Sequence, residues 1–512
     1  MSPVSISGSA FFLLVLALSA GDPDVNRVAV LANASDQDSV NLATYYARAR
    51  NIPSRNVIFL HTPKTEEISW TAFSKEILTP LRQELIKRRL IEGRFGKAQD
   101  VFGRRAFVPL SNSLEYLAIC RGIPLRLKNE LGKVPKSQQI RVPEIYRKTN
   151  SSVDSEIALL ASGYLPALAW TPNPLFNKKR PDFLARESIL RVSRLDGPTH
   201  ESALRLVDNA IAGEKLFFGR AYADSGGPHK QGDVWMNIVT HRLRENGFEV
   251  DGEETAALFN AGHRFDAPVF YFGWHSYSMQ GPFVAQDFRF PPGAMAFHIH
   301  SFSAQTLRTN SLHWVGPLVE KGVTATIGNV GEPYLHLTHH LPLLLEGLLD
   351  GRCLADAAFY SLPALSWQAI LVGDPLYRPA LRFMPKVPAE RMPFSPFHAE
   401  QYGLIRRVHM LEKEGKVEEA LTLGREYLAK AYGVPLALTL VRMELQLGRS
   451  NAISGYLKPA SVYIPENLQE VEPLLQAAEL LLESGQRKPA LSLMQNLRSF
   501  KNLPMELKKR LK

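Results

Sequence analysis

Along this chain, short runs of apolar and β-branched residues alternate with longer stretches whose apolar positions recur at helical spacing. Residues 28–31 form the first such run, and 39–50 then reads as a helix with Leu42, Tyr45 and Tyr46 on one side. A second strand is predicted at 57–60, a helix over 70–90 and a third strand at 114–120. Such a β-α-β-α-β opening points to a parallel sheet covered by helices. A proline-rich stretch at 166–181, with a basic run inside it, reads as a surface loop or insertion spanning about 163–185. Order then resumes, with strands expected at 188–192, 219–222, 269–272, 294–299, 324–327 and 369–372. Helices are expected at 201–211, 232–246, 314–321 and 341–358. The fold class is therefore α/β, a doubly wound and mostly parallel sheet occupying 25–380.

Beyond residue 379 the pattern changes. The segment 381–399 is rich in proline and aromatic residues and reads as a linker, and 400–512 is helical throughout. Glu414-Gly415 precedes Ala420-Leu421, and Ser484-Gly485 precedes Ala490-Leu491 with the same internal spacing. A weaker copy, Leu447-Gly448 before Ala452-Ile453, lies near halfway. A helix, glycine turn and helix repeating about every 34 residues resembles a tetratricopeptide repeat. A plain all-α bundle is the alternative, because the usual aromatic positions of that repeat are mostly absent.

At the N-terminus, Phe11 to Leu18 is unbroken apolar sequence followed by Ser19, Ala20 and Gly21. This resembles a secretory signal peptide over 1–20, although no Lys or Arg precedes the run. Export, to the periplasm or the exterior, is the resulting expectation. No other stretch reaches membrane-spanning length, so no integral membrane segment is expected after cleavage.

Composition adds limits rather than direction. A chain of 512 residues exceeds what one hydrophobic core usually organises, and 45% hydrophobic with 21% charged residues is ordinary for a globular protein. The net charge of +10 is spread along the chain. Short basic runs occur at Lys87, Arg88, Arg89, at Lys178, Lys179, Arg180 and at Lys508, Lys509, Arg510. Without a recognition module around them they read as solvated faces or tails, and no nucleic-acid partner is expected. The two cysteines, Cys120 and Cys353, are too few for a disulfide framework or a thiolate metal site and read as buried free thiols.

In a parallel sheet the chemistry sits beyond the carboxyl ends of the strands. Reading outward from each predicted strand end gives Arg121, then Asp196, then Asp224, then His275-Ser276, then His300 with Ser301 and Ser303, then Asn329 and Glu332, and finally Asp374. His275 with Ser301 or Ser303 is the sharpest pairing, since a hydroxyl nucleophile needs a neighbouring base and a neutral imidazole suits that task. Arg121, Asp196, Asp224, Asn329, Glu332 and Asp374 are candidates for ligand binding on the same rim. The three aspartates also have an ordinary structural reading as turn or cap residues. His298 with His300, and His336 with His340, bring imidazoles close together, but neither pair has the glutamate spacing of a zinc helix, and no metal is expected. No phosphate-cradling glycine loop is present, and no cofactor is expected.

The runs FGWHS (272–276), HIHSFSA (298–304), ATIGNVGEPYL (325–335) and SWQAILVGDPLYRP (366–379) resemble a bacterial exported protein family of unassigned activity. YLAICRGIPLRL (116–127) and GRAYADSGG (219–227) fit it too. More distantly the same stretch resembles the caspase and gingipain clan of cysteine peptidases, in which one strand ends at a catalytic His-Gly and the next at the catalytic Cys. That resemblance implies a caspase-like sheet, puts His275 at the histidine position and puts the cysteine position within 301–303. Two departures weigh against cysteine chemistry: Ser276 replaces the glycine, and no cysteine lies between Cys120 and Cys353. A serine hydroxyl, unlike a thiol, needs strong activation by its base. The expectation is a hydrolase of peptidase type using His275 and a serine. The alternative is a non-catalytic relative that binds peptide or protein while its helical tail docks a partner.

Overall fold

The computed structural model describes residues 25–163, 168–255 and 257–511. The expected signal segment and residues 164–167, at the start of the proline-rich loop, lie outside them.

The ten strands of the main sheet are Val28–Asn33 (β1), Val57–Leu60 (β2), Tyr116–Cys120 (β3), Arg191–Leu195 (β4) and Arg220–Asp224 (β5). They continue with Val250–Glu253 (β6), Pro268–Trp274 (β7), Met295–Ile299 (β8), Ala325–Asn329 (β9) and Ala369–Gly373 (β10). Their spatial order is β6-β5-β7-β8-β9-β10-β4-β3-β1-β2. Nearly every strand is buried on both faces, which is why the runs are continuously apolar rather than alternating. In β1, Val28, Val30 and Ala32 join one core cluster while Ala29 and Leu31 join another on the opposite face. Helices Gln37–Ala49 (α1), His200–Gly213 (α2) and Lys230–Glu245 (α3) supply part of the cover. The expected α/β class is what the structure shows.

β10 is the strand that changes the site. It runs antiparallel to β9 over Ala325–Gly373 to Asn329–Ala369 and touches β4 at Val372 and Arg194. Its carboxyl end therefore points to the edge opposite the carboxyl end of β9. Asp374, expected on the common rim, is instead buried at that far edge, where Tyr46 donates to it at 2.7 Å and Arg50 pairs with it from just past the end of α1.

Other expectations need adjustment. The run at 188–192 forms its strand slightly later, as β4. The stretch 341–358 is two helices, Leu341–Leu349 (α4) and Leu354–Ser361 (α5), because Gly351 takes a left-handed φ of 83° between them. A long antiparallel hairpin, Ile91–Gln99 with Arg105–Asn112, was not expected, nor was β6. Cys120 and Cys353 are free and buried.

The C-terminal region is helical, with Glu400–Lys413 (α6), Val417–Lys430 (α7), Val434–Gln446 (α8), Leu468–Glu483 (α9) and Arg487–Arg498 (α10) as its main members. The three glycines singled out by spacing, Gly415, Gly448 and Gly485, each end a helix with φ between 75° and 77°. That shared left-handed turn is the physical content of the repeat. After Gly448 the second helix is only a short 3-10 turn and Ile453–Leu457. The region packs on the sheet domain near β5: Phe218 lies in its core, and Tyr402 donates to Asp266 at 2.7 Å.

Candidate functional site

β7 and β8 are adjacent and parallel, with Gly273 opposite His298 and Trp274 opposite Ile299. The chain leaves β5 for β6 on one side and returns to β7 on the other. The cleft beyond these strand ends is thus a topological switch point, where open α/β sheets place their ligands.

His275 follows β7 directly. Its amide donates to Ile299 O at 3.1 Å, and its backbone is left-handed at φ 69°, which turns the exposed imidazole out of the sheet. Partial burial, and then the charge of His229, lower its pKa, so the ring is neutral at neutral pH and has a lone pair to offer. Beside it the Trp274 indole donates to Asp233 at 3.0 Å. Asp233 also accepts the amides of Gly226 and Gly227 at 2.8 and 3.2 Å. Any side chain at Gly227 or Gly232 would strike that indole, since a Cβ there lies 2.4 or 2.5 Å from it. Gly227, in the loop after β5, and Gly232, in the first turn of α3, therefore leave the room that the Trp274 indole occupies.

Beyond β8 the two serines part company. The Ser301 hydroxyl donates to Glu332 at 2.6 Å, while the other oxygen of Glu332 accepts the Tyr334 amide at 2.9 Å. Ser303 is fully buried, and its hydroxyl accepts the Asn329 amide at 3.0 Å. Between them Phe302 is left-handed at φ 61°, so the two side chains do not share a face as an extended strand would have it. The His275 imidazole makes no hydrogen bond to either serine among the described residues. His300 stands nearest in character: burial lowers its pKa first, and the charges of His275 and Glu332 both reach it. Strand β8 ends at Ile299, so His298 and His300 do not form a same-face pair. Likewise His336 sits in a 3-10 turn and His340 caps α4, with no shared helix face.

Beneath the rim lies a group of residues whose connection the sequence does not disclose. Tyr271 donates to Asp224 at 3.0 Å and lies 3.0 Å from His298 Nδ1, and all three are buried. The His298 ring stacks on Trp314 with centroids 3.4 Å apart, and its Nε2 has no hydrogen-bond partner among the described residues. Burial raises the pKa of Asp224 to about 7 and pushes that of His298 well below its usual value. A neutral imidazole donating from Nδ1 to the tyrosine oxygen, which donates in turn to Asp224, satisfies this geometry.

The remaining candidates brace the rim. Arg121 donates to the carbonyls of Gly197 and Pro198, and Asp196 pairs with Arg308 from the loop after β8 and with Arg194. Asn329 accepts from Thr338 at 3.2 Å and donates to His300 O at 3.4 Å. Glu66, past β2, accepts from Thr306 and from the Leu307 amide. These ties bring the carboxyl ends of both sheet halves to one edge. The rim therefore gathers His275, Ser301, Glu332 and His300, with Tyr277 and Phe302 exposed beside them at 61% and 37%.

No family model and no curated protein matches the chain. Among solved structures, one described as "Structure of Protease" is similar at a TM-score of 0.37 with 12% sequence identity, over 73% of this chain and 83% of that one.

Proposed function

We propose that this protein is an exported, peptidase-like hydrolase of the caspase and gingipain type of architecture, taking a peptide along the rim. In this reading His275 is the general base and Ser301 the nucleophile. The observation that carries it is the pair of left-handed, non-glycine residues, His275 and Phe302, at the ends of neighbouring parallel strands. Such backbone strain costs on the order of 1–3 kcal/mol per residue and gathers at functional sites. Ser301 Oγ would turn from Glu332, pass its proton to the His275 imidazole and attack the peptide carbonyl; the C–N bond breaks as that proton passes to the departing amine, and water, with His275 again as base, hydrolyses the Ser301 ester. Ser303, buried and engaged with the Asn329 amide, has a structural part.

A second reading, a non-catalytic peptide binder whose helical tail docks a protein partner, is favoured by the Ser301–Glu332 bond itself. A carboxylate that accepts the hydroxyl proton from a serine without imidazole contact leaves that serine unactivated. A fluorophosphonate probe separates the two. Labelling at Ser301 that disappears in His275→Ala supports the hydrolase; folded wild-type protein that stays unlabelled overturns it in favour of the binder. Export is tested by expressing the full chain with its own N-terminus and sequencing the secreted product, which should begin near Gly21.

A further inference from the structure

The edge of the sheet opposite the rim carries a cleft of about 970 Å³ whose lining includes seven Lys and Arg side chains against three carboxylates. Some of these charges are internally balanced: Arg191 pairs with Asp356 at 2.8 Å and Arg186 with Glu115 at 2.6 Å. Lys179 pairs with Glu346 at 3.1 Å. Lys178, Arg180 and Arg382, all exposed, make no side-chain ion pair or hydrogen bond with any described residue.

Beyond Lys178-Lys179-Arg180, after Pro181 and Asp182, stand Phe183 and Leu184, 73% and 76% exposed. They open the short helix Phe183–Ser188, which Asp182 caps by accepting the Ala185 amide at 2.8 Å. Ala185 is buried beneath them, so the turn is anchored and its two large apolar side chains are held outward. Unpaired cations adjoining a fixed, solvent-facing aromatic and aliphatic pair match the two forces of an acidic lipid surface. Charge attracts at a distance, and apolar side chains enter the headgroup boundary. A soluble polyanion would use the cations and leave Phe183 and Leu184 without a role.

We infer that this edge is a docking surface for a bilayer rich in acidic phospholipid. Phe183 and Leu184 enter the interface, and Lys178, Arg180 and Arg382 lie against the headgroups. No described helix is long and apolar enough to cross a membrane, so the attachment is peripheral. Docking there would turn the His275 rim, on the opposite edge, toward the aqueous side.

The test is flotation of the full chain with vesicles of phosphatidylcholine alone or with 30% phosphatidylglycerol, in about 0.1 M salt. Binding to the acidic vesicles should be at least ten-fold tighter and should weaken in about 0.5 M salt. Lys178→Glu/Arg180→Glu should lower it by roughly five-fold or more for each cation removed. Phe183→Ser/Leu184→Ser should lower it at least ten-fold with an unchanged circular dichroism spectrum and thermal midpoint. Phe183→Trp should show blue-shifted emission on the acidic vesicles only. Equal binding to both vesicle types overturns the inference. So does loss of binding in the charge variant with full binding by Phe183→Ser/Leu184→Ser; dextran sulfate competing for the surface would then identify a soluble polyanion as its ligand.

Discussion

Two groups of polar residues lie one strand-end apart in this molecule, and they differ in almost every physical respect. Asp224, Tyr271 and His298 are buried, joined by hydrogen bonds and held close to neutrality by desolvation. His275, Ser301 and Glu332 sit just above, exposed or half-buried, on loops with left-handed backbone. The comparison shows how a single position decides a residue's chemistry. His298 and His300 are two residues apart, yet one stacks on Trp314 inside the core while the other faces the cleft. The lower group is a platform whose rigidity fixes where the upper group projects.

The platform breaks first at Gly273. A Cβ built there lies 2.4 Å from the Tyr271 hydroxyl and 2.8 Å from His298 Nδ1, both fully buried side chains with nowhere to move. Gly273→Val should therefore cost more than about 4 kcal/mol and leave little folded protein. Thermal denaturation or yield of soluble protein measures this, and a well-folded variant would show that the two groups are not rigidly coupled.

Next in size is a pH effect confined to the lower group. The pKa of Asp224 is raised to about 7 in the folded protein against an ordinary 3.8, so the native state holds a proton that the unfolded chain releases between those values. Its contribution to stability is whole below about pH 4 and is lost as pH rises through 7, by on the order of 4 kcal/mol at most. Asp224→Asn keeps an acceptor for Tyr271 and cannot ionise. Its stability should thus fall less than wild type between pH 5 and 8 in urea titrations, and parallel slopes for the two proteins would contradict a protonated Asp224.

How much of this was legible in the residues follows from what each kind of pattern encodes. The apolar runs disclosed the main strands and the β7–β8 neighbours because a strand buried on both faces has no other composition. The hairpin at Ile91–Gln99 and Arg105–Asn112 was missed because Gly93, Gly96 and Pro109 interrupt the alternation that would mark it. Asp374 was misplaced because an apolar run carries no sign of its direction, and only the pairing with β9 shows that β10 is reversed. The link from Asp233 to Trp274 has a sequence signal in the small residues Gly227 and Gly232, but a glycine leaves room for a neighbour without naming it. Ser301 and Ser303 were indistinguishable by spacing, because nothing in FSA-type sequence announces that Phe302 leaves the extended conformation.

The smallest expected effect separates these two serines and sharpens the contrast between platform and rim. Ser303→Ala removes the acceptor of the buried Asn329 amide, which no water can reach to replace it, and should cost about 2 kcal/mol. Ser301→Ala removes a half-exposed hydroxyl whose partner, Glu332, keeps the Tyr334 amide and gains access to water, so its cost should stay within about 0.5 kcal/mol. Denaturant midpoints of the two variants measure the difference directly. Equal losses would mean that the Ser301–Glu332 bond is as structural as the one below it; a costless Ser301→Ala leaves Ser301 as a residue the fold does not need, held at the cleft for another purpose.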